Sequence, residues 1–427
     1  MKIPEILLEQ AEKLKDFYTA HYPGLAPLAK QCFLNTITTT VKELDNGDYF
    51  VITGDIPAMW LRDSSAQVGL YVRFAKEDAG LQKILEGVIR KQAELVLRDP
   101  YANAFTAYET DASAGYDDDT LMLPGVWERK YEVDSLTAPI SLAYKYWMET
   151  GREGIFDDTF KKAVETIIKV YRTEQDHSSS DYRFTRSNCP ETDTLPCSGK
   201  GNPVKTTGMT WSGFRPSDDR CIYGYLIPSN MAAVVAMQEV SEIAEKVYKD
   251  RQLSDEASRL ASEIEKGIEE YGKVNVEGIG EVYAYETDGD GHYVMMDDAN
   301  VPSLLSIPYL KYRDGNDSVT ENTRKFVLSQ KNPYFYSGKY AKGIGSPHTP
   351  EGYVWHIALT MQALTSNDRS ETMKLLDMLA KTHADTNYMH ESFDPDLPGE
   401  FTRSWFAWAN TLFAELLEEL MEKGFFG

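Results

Sequence analysis

The chain is poor in the residues that build metal centres and disulfides: seven histidines and four cysteines in 427 residues. Cys32, Cys189, Cys197 and Cys221 form no C-x-x-C and fit no zinc-ribbon or zinc-finger spacing, so they read as free thiols of a reducing compartment. Cys189 and Cys197 share a loop and would pair only in a secreted chain. His390-Glu391 has no second histidine to make a zinc-binding helix face. Asp288-Gly289-Asp290-Gly291-His292 lacks the third carboxylate, the placed glycine and the closing Glu of a calcium loop. No metal and no cofactor is expected. G-x-S-x-G, Walker A and G-x-G-x-x-G patterns are also missing, which removes the common serine hydrolases and nucleotide binders. Positive charge is scarce: 44 Lys and Arg against 67 Asp and Glu give a net charge of −23, which excludes a nucleic-acid partner. No apolar run approaches a membrane span. The N-terminal M-K-I-P-E-I-L-L-E-Q-A-E-K-L is broken by glutamates and has no signal-peptide core, so a cytoplasmic chain with no membrane partner is expected. No heptad seam or unexplained apolar stripe calls for a partner subunit, and a monomer is expected.

What is present is helical periodicity. Apolar residues at Ile6, Leu7, Ala11, Leu14, Phe17 and Tyr18 mark a first helix. Further helices are expected at about 26–45, 60–77, 80–98, 132–150, 155–175, 228–248, 253–270, 299–312, 318–331, 351–366, 369–383 and 402–423. The alternation at Glu281-Val282-Tyr283-Ala284-Tyr285 suggests a small β-hairpin. Helices pair across short turns near residues 23, 78, 152, 250, 315 and 367. Between the pairs run six long connections, a length that is usually functional. Six helical hairpins in a ring would bring all six connections to one end. The expected fold is therefore all-α, an (α/α)6 barrel with six long loops forming one face, as a single domain over residues 1–427. An open solenoid is the competing layout, but it would show a sequence repeat, and none is visible.

Each long connection mixes carboxylates, guanidinium groups and aromatic rings. The stretch Met209–Cys221, M-T-W-S-G-F-R-P-S-D-D-R-C, is the densest. Its Ser-Gly and Arg-Pro steps make it a loop, and its Asp218 and Asp219 are equally eligible acids. Carboxylates beside rings that can stack on sugar faces suit glycoside hydrolysis, which needs one carboxylic acid and one carboxylate.

The runs T-G-D-I-P-A-M-W-L-R-D-S, W-E-R-K-Y-E-V-D-S, M-T-W-S-G-F-R-P-S-D-D, S-P-H-T-P-E-G-Y-V-W and H-E-S-F resemble glycoside hydrolase family 125. These motifs are long and spread over five loops, and the resemblance runs from about residue 25 to 423. It implies a metal-independent, inverting exo-α-1,6-mannosidase on an (α/α)6 barrel, a bacterial cytoplasmic enzyme acting on terminal mannose of α-mannoside or N-glycan-derived oligosaccharides. It assigns the general acid to Asp218 and the general base to Glu391, with Asp219 left as the structural partner of Arg220. Trp60, Arg62, Asp63, Glu128, Arg215, Asn300, Ser346, His348 and Arg403 become the substrate-binding candidates, and Arg403 a cation to keep the base ionised. Glu132 and Asp134 are discounted, because acidic residues early in a helix favour its dipole in any case. Two alternatives remain at this level. One is another α/α-toroid sugar enzyme, an α-glucosidase or a histidine-dependent epimerase. The other is a carbohydrate-binding toroid without turnover.

Overall fold

The computed structural model describes residues 1–427. Its main helices are α1 (Glu5–His21), α2 (Ala26–Asn35), α3 (Leu61–Gly69), α4 (Ala79–Arg98), α5 (Val133–Thr150), α6 (Asp158–Glu174), α7 (Ile227–Ile243), α8 (Arg251–Tyr271), α9 (Ser318–Val327), α10 (His356–Leu364), α11 (Arg369–Lys381) and α12 (Ala407–Glu422). The chain repeats one pattern: a long connection, an inner helix, a short turn, an outer helix.

The outer helices are started by the turns themselves. Asp78, Asp157, Asp250, Asp317 and Asp368 each sit at an N-cap and accept backbone N–H bonds from the first turn of α4, α6, α8, α9 and α11. The inner helices α3, α5, α7, α10 and α12 have no side-chain cap. Their N-termini, with free N–H groups and the positive dipole end, open onto the long connections. Burial separates the layers. Most residues of α7 and α12 are buried, whereas α6 and α8 bury one face. In the inner layer α3 packs on α5, α5 on α7, α10 on α12, and α12 on α3. Outside, α4 packs on α6 and α6 on α8, while α2 lies on α12 and α1 on α2. One continuous hydrophobic core runs from Leu7 to Leu420. The architecture is mainly helical with small sheets, the layout of an α/α-toroid.

Those sheets tie the connections together in chain order. Met59–Trp60 pairs with Ala104–Phe105, joining the first connection to the second, and Asp118–Asp119 pairs with Thr185–Arg186, joining the second to the third. Tyr225–Leu226 pairs with Glu286–Thr287. The Ala299 N–H donates to Gly345 O, and Val354–Trp355 pairs with Ser392–Phe393. A bridge from Gly54 to Phe406 returns the sixth connection to the first. The expected hairpin exists as Lys273–Val276 with Gly280–Tyr283.

Two helical expectations fail. Residues 299–312 form turns, not a helix. Pro302 and Pro308 cannot donate to a helical ladder, and local side chains take the remaining donors. Asp297 accepts from Leu304 N and Leu305 N at 2.8 and 2.9 Å, and Ser303 and Ser306 bond to each other's backbone. The second helix is α-helical only to Asn35, continues as a π-helical turn over Thr36–Thr40, and ends there, not at 45. In that turn Thr38, Thr39 and Thr40 point their hydroxyls back onto carbonyls, and the chain leaves as strand Val41–Glu43.

Candidate active site

One cavity sits among the connections at the N-terminal ends of the inner helices. Trp60 and the first turn of α3, with Arg62 and Asp63, form one wall. Pro216, Ser217 and Asp218 form another. Thr53, Asn300, His348, Glu391 and Arg403 complete the polar lining, and Ile56, Trp355, Phe406 and Trp408 supply apolar surface. Aromatic faces beside converging carboxylates and cations suit a sugar ring with its hydroxyls.

Asp218 is presented by a tight loop. Phe214 and Arg220 bridge across it, Arg215 N donates to Asp219 O at 2.8 Å, and Asp218 N donates to Arg215 O at 2.9 Å. Asp218 itself is left-handed at φ 68°. Arg403, which also lines the cavity, has φ 44°. Such backbone is disfavoured for residues with a Cβ and is held where the surroundings over-determine it. Behind Asp218 the loop is rigid: Trp211, Phe214 and Arg215 are all buried, and Trp211 stacks on His177 with centroids 3.5 Å apart.

The two carboxyl groups of interest have different surroundings. Asp218 Oδ1 accepts from Trp60 Nε1 at 3.2 Å and from Asn103 Nδ2 at 3.1 Å, and Lys130 Nζ donates to its backbone carbonyl at 2.8 Å. Burial works to raise its pKa, but Lys130, Arg62 and a hydrogen bond from Glu132 outweigh it and hold the carboxyl below the usual range. Glu391 stands near the N-terminus of α12, with Arg403 Nη1 3.6 Å from its Oε1. Arg403 is in turn fixed by Asp55, whose Oδ1 accepts from Nε at 3.0 Å.

Three substrate-binding candidates do not line the cavity. Glu128 is buried behind it, paired with Arg186 at 2.7 Å. Arg215 is bonded to Glu286 at 2.6 Å and faces the protein interior. Ser346 is buried too, and its Oγ accepts from His348 N at 3.2 Å, which shapes the loop. Asp219 is not the partner of Arg220, which pairs with Glu191; its Oδ1 lies 3.0 Å from His348 Nδ1. That pair lifts His348: burial would lower its pKa, but the Asp219 hydrogen bond and charge raise it to about 9. Asn103, Lys130, Glu132 and Asp134 were missed as contributors. Asn103 carries no local signal in D-P-Y-A-N-A-F. Lys130, Glu132 and Asp134 lie inside a motif already singled out. No three His, Cys, Asp or Glu side chains come together as metal ligands.

The family profile of metal-independent α-mannosidases, GH125, matches residues 23–418. The chain belongs to glycoside hydrolase family 125. Among solved structures, a member of this family from Streptococcus pneumoniae superposes with a TM-score of 0.96 at 45% identity, covering 98% of each chain; it holds α-1,6-mannobiose in a non-productive complex. A curated relative, the meiotically up-regulated gene 157 protein of Schizosaccharomyces pombe (strain 972 / ATCC 24843), is 40% identical over 421 residues, 93% of this chain and 82% of its own. The glucoamylase of Saccharomycopsis fibuligera shares the fold alone, at 13% identity and a TM-score of 0.57 over 97% of this chain and 96% of its own. As a GH125 protein the chain is a metal-independent α-mannosidase. No helix is long and apolar enough to cross a membrane.

Proposed function

We propose that this GH125 enzyme is an exo-acting, inverting α-1,6-mannosidase that removes terminal mannose from α-mannoside and N-glycan-derived oligosaccharides. Asp218 is the general acid and Glu391 the general base. Asp218 protonates the departing glycosidic oxygen while Glu391 takes a proton from the water attacking the anomeric carbon. Inversion requires the two carboxyls to stand roughly 6.5–9.5 Å apart, leaving room for that water. Trp60, Arg62, Asp63, Asn300, His348 and Arg403 grip the terminal mannose. The fold is one catalytic domain, a sixfold ring in which turns 299–312 fill the inner position between α7 and α10.

The observation that carries this reading is that Asp218 and Glu391 line one cavity from different connections. Arg62 and Arg403 stand beside them, and Trp60 and Trp408 add aromatic surface. The α-1,6 linkage is supported by the mannobiose in the pneumococcal relative. The test is NMR of an α-1,6-mannobiose digest by wild type, Asp218→Asn and Glu391→Gln. β-Mannose as first product from wild type, with each variant slowed about 10²–10⁴-fold, is expected. α-Mannose as first product would replace inversion by retention.

A further inference from the structure

Beside the cavity the enzyme buries an excess of carboxyl groups around one guanidinium. Arg62 Nη1 is 2.6 Å from Glu132 Oε2 and 2.9 Å from Asp134 Oδ2, while its Nη2 is 3.3 Å from Asp63 Oδ2 and 3.9 Å from Asp218 Oδ1. The only other cation close to Asp218 from this side is Lys130, itself shared with Glu128 and Asp193. Glu128 and Asp193 are also met by Arg186, but Asp63, Glu132 and Asp134 all share Arg62, and one guanidinium cannot balance three carboxylates out of water, so a proton is retained among them. Glu132 is the group placed to keep one. It is 1% exposed, at the uncapped start of α5, and shares the Arg62 guanidinium with Asp218. The Asn103 amide ties the two together, lying 3.1 Å from Asp218 Oδ1 and 3.4 Å from Glu132 Oε1. The groups facing Glu132 are Arg62 from α3, Asp134 and Ser135 from its own helix, Asn103 and Asp218. Asp63 lies beyond Arg62; Lys130 and His348 act through Asp218. Cys221, also close, is kept a neutral thiol by burial.

Resting on Asp218 as the acid, we infer that Glu132 is a positioning residue that stores the catalytic proton and passes it to Asp218 when substrate is bound. In the free enzyme the Glu132 carboxylic O–H donates to the Asp218 carboxylate. A sugar covering Asp218 removes water from it and disfavours its charge. The proton then crosses the shared hydrogen bond: the Glu132 O–H bond breaks, an Asp218 O–H bond forms, and the negative charge moves to Glu132. That anion is received by Arg62 at 2.6 Å and by the Ser135 hydroxyl, which donates to Oε2 at 2.7 Å. Asp218 next protonates the leaving oxygen and is itself a carboxylate. The proton removed from water by Glu391 returns to solvent, and the Glu132–Asp218 pair regains one from solvent. Burial first of all pushes Glu132 far above the carboxylate range against the pull of Arg62, while Asp218 is held down, which agrees with the resting proton on Glu132.

The test compares wild type, E132Q, E132D and D218N on α-1,6-mannobiose and on a dinitrophenyl α-mannoside, whose leaving group departs without a proton. E132Q is expected to lose about 100-fold or more in kcat/KM on mannobiose and under about tenfold on the aryl mannoside. Its alkaline limb on mannobiose moves to lower pH, and E132D returns it part of the way. Equal losses on both substrates with an unmoved alkaline limb would show a structural role and overturn the inference. D218N must also spare the aryl mannoside; if it does not, the acid assignment falls and the inference with it. Should E132Q not fold, S135A leaves both carboxyls in place. A loss confined to mannobiose then supports proton storage, and an equal loss on both substrates refutes it.

Discussion

His348 Nδ1 lies 3.0 Å from Asp219 Oδ1, so the two adjacent aspartates of one loop serve opposite sides of it. Asp218 faces the cavity at the tip of the turn, and Asp219, 2% exposed, holds the histidine of another connection. The bond is charge-assisted, since the pair raises the histidine pKa to about 9. Asp219→Asn is expected to lower kcat/KM by about 10- to 100-fold, the range for losing a hydrogen bond to a charged group. Steady-state kinetics beside a melting curve checks this. A fall in activity with no loss of folded protein separates positioning from unfolding.

The same pair gives a pH signature in stability. The folded-state pKa of His348 is raised from an ordinary value of about 6.5 to about 9. Its contribution is therefore complete below about pH 6.5, fades as pH rises, and is gone above about pH 9. The difference in Tm between wild type and His348→Gln is expected to be largest near pH 6 and to close by about pH 9.5. A Tm difference that stays constant from pH 6 to 9.5 would contradict the ion pair.

Arg403 links Glu391 to Asp55 across the seam between the sixth and first connections. Asp55→Ala leaves Arg403 with Glu391 but removes the carboxylate that orients it. We expect about a tenfold loss in kcat/KM, and a larger loss, about 100-fold, for Arg403→Ala, which leaves Glu391 without its cation. Product analysis in both variants should still give one anomer, because neither change supplies a nucleophile.

Gly54 sits on that seam at φ 137°, and a Cβ there would lie 2.1 Å from the Trp405 carbonyl oxygen. Gly54→Ala is expected to destabilise by about 1–3 kcal/mol, seen as a lower Tm. It should also lower activity, since relief of the clash moves the segment carrying Arg403. Gly47→Ala is the comparison: its φ is also positive, but nothing lies within 4 Å of the added carbon. It should cost stability without activity.

The order of helices, the short turns and the six long connections were legible because periodicity and turn residues act locally. The capping aspartates 78, 157, 250, 317 and 368 stand in the sequence where the outer helices begin. The GH125 motifs identified the family for the same reason, being contiguous runs. Residues 299–312 misled because their apolar spacing imitates a helix, while Asp297 and two serines take the backbone donors. Within motifs, residue type alone did not say which side chain faces the cavity. Glu128, Arg215 and Ser346 have the chemistry of sugar ligands, yet they are turned away to partners distant in sequence.

By itself the sequence determined a largely helical, metal-independent α-mannosidase, since these follow from local pattern and uninterrupted motifs. Tertiary structure decided the rest. It made Asp219 the partner of His348 and gathered Glu132, Asp134, Asp63 and Asp218 around Arg62. It also set Asn103 between two carboxyls. Such relationships depend on which connections meet when the ring closes. The protonation of a carboxyl depends on burial and neighbouring charge, which no local stretch of chain contains.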